Sequence, residues 1–422
     1  MKQISMTEFF RTFGRIGLLS FGGPAAQISL MQSELVDRHK WVARPDFLRA
    51  LSFCMLLPGP EAMQLATFAG WRLKGLLGGF IAGLLFVLPG AAVILALAFL
   101  YLNYGSVGAI AHGFAGIQAA VIVIVIGALI KLSQKALNGP LDYALAAASF
   151  VAIFAIGLPF PLVILAAAVV GFITTRAGAD QPPAPSAPVR MPWGTLVILA
   201  LLWAAPMLVA HWAGNTFLTD VGLFFSKLAV VTFGGAYAVL SYMTQSMVQD
   251  FGWITTDQMV TALGLAETTP GPLILVTEFA AIVAGHENGG TGMALAAGAM
   301  ALWVTFIPCF LWIFAGAPLL ERLTAFAPIA GALSAITAAV VGVIFNLSLW
   351  FAIHVFFANV DGIEFGMNAV IPVPDITSAN IAMIGIFICA LWAKFWQGWS
   401  LFIVLGLSMV MAIVLGAVGF IG

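Results

Sequence analysis

Two tripeptides, Pro58-Gly59-Pro60 and Pro270-Gly271-Pro272, stand inside long apolar runs where a helix would otherwise continue. Each proline lacks an N–H donor and glycine adds backbone freedom, so a helix has to stop at each tripeptide and restart beyond it. A restart at membrane depth exposes free backbone N–H groups at a positive helix end. Such ends are tolerated only beside protein or a water-filled cavity, and they attract anions. Phe21-Gly22-Gly23-Pro24 offers a similar break, and Phe233-Gly234-Gly235 repeats it. A kink or a close helix crossing explains any one of these; four breaks at matching positions favour a binding role.

Charged and polar side chains accompany the breaks. Arg15 and Lys227 each sit six residues ahead of an FGG phenylalanine. In so apolar a context a lone cation is costly, and an anionic substrate would compensate it; snorkelling to the interface is the competing reading. Ser20 and Thr232 directly precede the two FGG phenylalanines and could donate hydrogen bonds to an oxyanion, although back-bonding to a helix carbonyl is the commoner fate of such hydroxyls. Glu61, Glu267 and Glu278 are acidic residues in apolar surroundings, with Gln64 nearby. Burial favours the protonated acid, which makes Glu61 and Glu267, beside the two PGP tripeptides, candidates for coupling to a proton gradient; helix capping or a place in a watery vestibule is the alternative.

The elements that must position these residues are transmembrane. Of 422 residues, 62% are hydrophobic and only 8% are Asp, Glu, Lys or Arg, against roughly 25% charged in a soluble domain. Runs such as Gly75–Leu102 and Trp399–Ile421 exceed the roughly 20 residues a helix needs to cross the hydrocarbon core. The expected fold is an all-α polytopic membrane protein with about 13 hydrophobic segments. Residues 178–192 carry five prolines and read as a solvated linker between two halves, 1–177 and 193–422.

The halves repeat. Ser20-Phe21-Gly22-Gly23 aligns with Thr232-Phe233-Gly234-Gly235 at an offset of 212, and the same offset carries Arg15 to Lys227, Trp41 to Trp253 and the first PGP to the second. Beyond an insertion near His286 the offset becomes 219, which sets Pro89 on Pro308. Seven segments separate the starts of the two copies, an odd number that turns the second upside down, as in many secondary transporters. If FGG and PGP segments are re-entrant, Arg38, Lys40, Arg44, Arg72 and Lys74 fall on one side and Asp250, Asp257, Glu287, Asp361 and Asp375 on the other, in accord with the positive-inside rule. Kinked full spans are the simpler alternative.

Other chemistry lacks its residues. The net charge of −1 and the absence of a basic run point away from nucleic acid. Cys54, Cys309 and Cys389 show no metal or redox spacing, and the five histidines form no HExxH pair. No Walker-type loop and no catalytic cluster are present, so neither a cofactor nor an enzymatic activity is expected.

These motifs resemble the chromate ion transporter family in its long, two-domain form. The resemblance rests on Ser20-Phe-Gly-Gly-Pro24, Leu56-Leu-Pro-Gly-Pro60, Gly83-Leu-Leu-Phe-Val-Leu-Pro-Gly90, and Thr268-Thr-Pro-Gly-Pro-Leu273 followed by Val276-Thr277. It implies a multi-pass bacterial inner-membrane carrier that expels chromate. By charge alone sulfate fits such a site as well, and an uncoupled oxyanion channel is the alternative reading. Membrane lipid and a second copy of the chain are the other candidate partners. Where the family pattern usually has Asn after the first PGP, this chain has Glu61.

Overall fold

A computed structural model of the chain describes residues 4–105, 107–175, 192–233, 236–319, 327–365 and 369–420. The linker at 178–191, together with Gly234 and Gly235, lies outside the described residues. Helix dominates. Five helices, Glu61–Tyr104, Gly108–Ala136, Trp193–Trp212, Leu273–Gly316 and Pro328–Phe356, are long and apolar enough to cross a membrane, and four shorter apolar helices accompany them. Several of the expected apolar segments are divided into shorter helices.

The chain forms two compact units, and each takes segments from both sequence halves. The first unit holds Met1–Ala96, Phe172–Ala236 and Thr269–Gly331. In it, α1 (Met6–Leu19), α2 (Gly23–Gln32), a π-helical turn (Ser33–Arg38) and α3 (Arg44–Cys54) lead to α4 (Glu61–Tyr104). Ser5 caps α1 by accepting the Glu8 N–H. Phe9, Phe13 and Ile16 recur along α1 at helical spacing and are buried, while Phe10, Leu18 and Leu19 lie on its exposed face, the pattern of a helix with lipid on one side. Helices α8 (Trp193–Trp212), α9 (Thr216–Val231) and α12 (Val276–Gly316) complete this unit, and α12 packs on both α8 and α9.

Neither α4 nor α12 is one helix. In α4 the path turns at Lys74 and Gly75, whose φ is +66°, so arms 61–73 and 76–104 fold back on each other. A Cβ on Gly70 would overlap the Gly78 carbonyl, which is why both positions need glycine. In α12 the same reversal falls at Gly289 and Gly290, with φ at Gly290 of +70°. There Gly285 faces Met293 and Ala294. The first arms, 61–73 and 276–288, are each shorter than the roughly 20 residues of a full span.

The second unit holds Leu97–Gly171, Tyr237–Thr268 and Ala332–Gly422. Here α5 (Gly108–Ala136) packs against α11 (Thr256–Thr268), α14 (Ile381–Phe395) and α15 (Leu401–Ala417). Small residues set these approaches: a Cβ on Gly116 would overlap the Ser408 carbonyl, and Gly264 faces Ile117 and Val121. Gln118 donates from Nε2 to the Asp257 carbonyl and the Thr261 hydroxyl, both at 3.1 Å. The unit also contains α6 (Pro140–Phe154), α7 (Phe160–Thr174), α10 (Ala236–Met243) with a π-helical turn (Thr244–Asp250), and α13 (Ala327–Phe356). A two-stranded antiparallel ribbon, β1 (Val360–Phe365) with β2 (Ala369–Pro374), and an isolated bridge between Phe357 and Ala379 stand beside these helices.

Candidate functional site

The two helices that run into the FGG motifs end alike. α1 ends at Ser20, whose hydroxyl donates to the Ile16 carbonyl, and α9 ends at Thr232, whose hydroxyl donates to the Leu228 carbonyl. Both pairs differ by 212 in number. The next amides reach back only two residues, Phe21 N–H to Leu19 at 2.9 Å and Phe233 N–H to Val231 at 3.0 Å. The chain then enters Gly22 at φ +82° and Gly23 at φ +78°, a left-handed pair that side-chain-bearing residues rarely adopt. α2 starts there with Pro24 in its first turn and no side-chain cap.

At the PGP tripeptides the backbone is again left-handed, with φ +116° at Gly59 and +90° at Gly271. The two kinds of break meet crosswise. Gly59 donates its N–H to the Thr232 carbonyl at 2.9 Å, and Gly271 donates its N–H to the Ser20 carbonyl, also at 2.9 Å. Each PGP glycine thus satisfies the helix-end carbonyl beside the FGG phenylalanine of the other half. All four residues belong to the first unit and the two acceptors are buried. The Pro-Gly step of α4 also approaches: a Cβ on Gly90 would overlap the Pro270 carbonyl, and a Cβ on Gly59 would come within 3.0 Å of Cys309 Sγ.

Two glutamines reinforce these junctions unequally. Gln27, buried on α2, donates from Nε2 to the Gly271 carbonyl at 2.7 Å and to the Ser20 carbonyl at 3.3 Å. Gln64, buried on α4, donates to the Pro58 carbonyl at 2.7 Å, and its Oε1 has no partner among the described residues. Their counterparts 212 residues on, Val239 and Val276, are apolar, so side-chain reinforcement comes from the first half. Only glutamines set in small-residue, apolar surroundings mark these positions in the sequence.

Arg15 and Lys227 stand apart from the buried breaks. The Arg15 side chain is 51% exposed and its Nε lies 3.6 Å from Glu34 Oε1. Glu34 is a buried carboxylate that also faces Arg38 at 3.2 Å and His39 at 3.7 Å. Lys227 is exposed on α9 beside exposed Leu223 and Val230. Of the acids, Glu61 is half-buried in the first turn of α4, Glu267 is buried near the end of α11, and Glu278 is buried in the first turn of α12. No group of three or more His, Cys, Asp or Glu residues that could hold a metal ion exists among the described residues. The helix starts that follow the breaks at α2 and at the 3-10 turn Leu273–Leu275 carry no side-chain cap, whereas the Leu275 and Val276 amides, where α12 takes over, are bonded to the Pro272 and Leu273 carbonyls. The uncapped starts of α2 and of the 3-10 turn are what the site can offer an anion.

The chromate transporter family profile matches residues 7–172 and 219–418, both halves of the chain and both sets of breaks. The chain belongs to the chromate transporter family. It is 32% identical over 321 residues to the chromate transport protein of Pseudomonas aeruginosa, covering 73% of this chain and 71% of that one. The chromate transport protein of Cupriavidus metallidurans is 28% identical over 346 residues, 81% of each chain. A probable chromate transport protein of Synechococcus elongatus is 29% identical over 323 residues, 75% of this chain and 77% of the relative. No solved structure matches. With five helices of spanning length, this family member is a multi-pass bacterial membrane protein, and its family is one of transporters rather than enzymes.

Proposed function

We propose that the chain is a secondary transporter that exports chromate across the bacterial inner membrane by alternating access, through a site at the interlocked helix breaks. The crosswise pair of hydrogen bonds, Gly59 to Thr232 and Gly271 to Ser20, carries this reading. It ties each PGP turn to a buried helix end of the other half and exchanges roles between positions 212 apart, as a two-fold relation between halves would. That relation supports two inverted repeats, 1–177 and 193–422, joined by the 178–192 linker. The repeated local geometry supports it too: Trp41 N–H bonds to Leu35 and Trp253 N–H to Met247, both at 2.8 Å and both after a π-helical turn.

In this reading the substrate lies against the backbone of Gly22, Gly23, Pro58, Gly59, Pro60, Gly234, Gly235, Pro270, Gly271 and Pro272. Arg15 and Lys227 supply countercharge once Arg15 exchanges Glu34 for the oxyanion, and Ser20 and Thr232 turn their hydroxyls from the helix carbonyls toward it. Glu61 and Glu267 are the coupling candidates nearest the tripeptides. A site of helix termini and two cations matches charge more than shape, so sulfate competes with chromate, while chloride and nitrate compete poorly. A dianion channel would share this lining but lack coupling. Uptake of labelled chromate and sulfate into everted vesicles under imposed pH and voltage gradients tests the proposal. Chromate accumulation driven by a gradient supports export, and equal inhibition by chloride contradicts oxyanion selectivity.

A further inference from the structure

Both helices that restart beyond the PGP tripeptides carry a carboxyl in their first turn, Glu61 on α4 and Glu278 on α12. Their surroundings differ. Glu61 is half-buried and engaged by other groups, whereas Glu278 is only 3% exposed and its Oε2 has no hydrogen-bond partner among the described residues. It lies against the second arm of α12, where its Cγ would be 3.9 Å from a Cβ on Gly298. Phe279, Ile282 and Ala301 around it on α12 are fully buried. The charged groups on the elements packed against α12 include His211 on α8 and Asp220 and Lys227 on α9, all exposed; Arg44, Asp46 and Arg49 on α3 and Glu61, Arg72 and Lys74 on α4, of which the three arginines are exposed and the others half-buried; on α12 itself, His286 is half-buried and Glu287 exposed. Among the described residues no cation lies within ion-pair distance of the Glu278 carboxyl.

We infer that Glu278 is the proton-carrying group of this transporter, and that its protonation is what opens the Pro270–Pro272 helix end to an oxyanion. The inference rests on the transport reading above and adds the coupling ion and the residue. An ionised carboxylate buried without a partner is strongly disfavoured, and the positive end of α12 offsets only part of that cost. The proton therefore stays on the carboxyl while the region is closed. Ionised, Glu278 would place a negative charge five residues beyond the uncapped start at Leu273 and repel a dianion there. Neutral, it leaves that start to the oxyanion. Proton and oxyanion thus bind and leave together, so each export event carries a single net negative charge outward and is driven by the inside-negative membrane potential, and the carboxyl releases its proton to water when the break opens on the other side. Its equivalent in the first half, Ala66, carries no carboxyl.

Chromate binding to the purified protein, followed across an alkaline pH range in which chromate stays a dianion, tests the inference. Wild-type affinity should fall by about tenfold per pH unit once Glu278 ionises, the signature of one linked proton. Glu278→Gln, which mimics the neutral acid in shape, should bind with an affinity that no longer changes with pH. A flat wild-type profile, or an unchanged pH dependence in Glu278→Gln, overturns the inference. The infrared band of a protonated buried carboxyl, read without chromate, gives a second arm that does not depend on transport: its loss in Glu278→Gln supports the assignment and its persistence overturns it. Should wild type fail to bind chromate while the band disappears in the variant, the substrate reading fails and the proton assignment stands.

Discussion

Gly59 and Thr232, 173 residues apart in the chain, are joined by a 2.9 Å hydrogen bond from the glycine N–H to the threonine carbonyl. Gly271 and Ser20 repeat the bond with the halves exchanged. Ser20 and Thr232 are the cap residues just past α1 and α9, where carbonyls lack intrahelical partners, and both are buried. The PGP glycines therefore do two things at once: they hold a left-handed turn and they satisfy a carbonyl that lipid or a dry interior would leave costly.

Alanine at either glycine should be poorly tolerated. At φ +116° or +90° a side chain strains the backbone by about 1–3 kcal/mol, and at position 59 the new Cβ also crowds Cys309 and Gln64 at 3.0 Å. Gly59→Ala and Gly271→Ala should lower the melting temperature of the detergent-solubilised protein and reduce chromate transport. Gly14→Ala, on α1 with open space around it, should leave both close to wild type. Equal behaviour of all three variants would show that the turns are not constrained.

The two buried glutamines should not weigh equally. Gln27→Ala removes donors from two buried carbonyls, an expected loss of about 1–3 kcal/mol. Gln64→Val, which copies Val276, loses one bond to Pro58 but also removes an unpartnered Oε1, so the two effects offset. Thermal melts should rank Gln27→Ala well below Gln64→Val. The reverse order would mean that the Gln27 bonds contribute little.

The expected roles of Arg15 and Lys227 are separable by affinity per inserted molecule. As countercharges, Arg15→Gln and Lys227→Met should weaken chromate binding strongly, with Lys227→Arg much milder. As interfacial anchors, the same variants should lower membrane abundance and leave affinity unchanged. Glu34→Gln adds a further arm: it frees Arg15 and Arg38 from their buried partner, so it should raise affinity for a dianion if Arg15 must leave Glu34 to reach it.

Topology is tested by labelling. Single cysteines at Lys40 and Lys74 should both react from the cytoplasm, and cysteines at Asp250 and Glu287 from outside. Opposite-side labelling of positions 40 and 74 would replace the re-entrant reading by a broken span.

The helical, apolar character of the chain was legible because so few of its residues are charged and its apolar runs are long. Pro58, Gly59, Pro270 and Gly271 were legible as breakers because their backbone chemistry is local. What the breaks touch was not. The bonds from Gly59 to Thr232 and from Gly271 to Ser20 are long-range, and an offset of 212 says which residues are alike without saying which meet. Lys74–Gly75 and Gly289–Gly290, which reverse α4 and α12, were hidden for the opposite reason: a glycine beside a polar residue between apolar runs reads equally as a loop. The pairing of Arg15 with Glu34 needed the π-helical turn at Ser33–Arg38, which has no sequence signature.

The central claim, that a carrier with an alternately exposed oxyanion site is built at these breaks, is tested most directly by counterflow. Purified protein in liposomes preloaded with unlabelled chromate, with the membrane potential clamped, is diluted into a trace of labelled chromate. The account predicts that labelled chromate rises transiently above its equilibrium level inside the liposomes and then declines, and that Gly59→Ala and Gly271→Ala reduce the overshoot. Monotonic equilibration of the label with no overshoot would contradict alternating access and make the protein a channel.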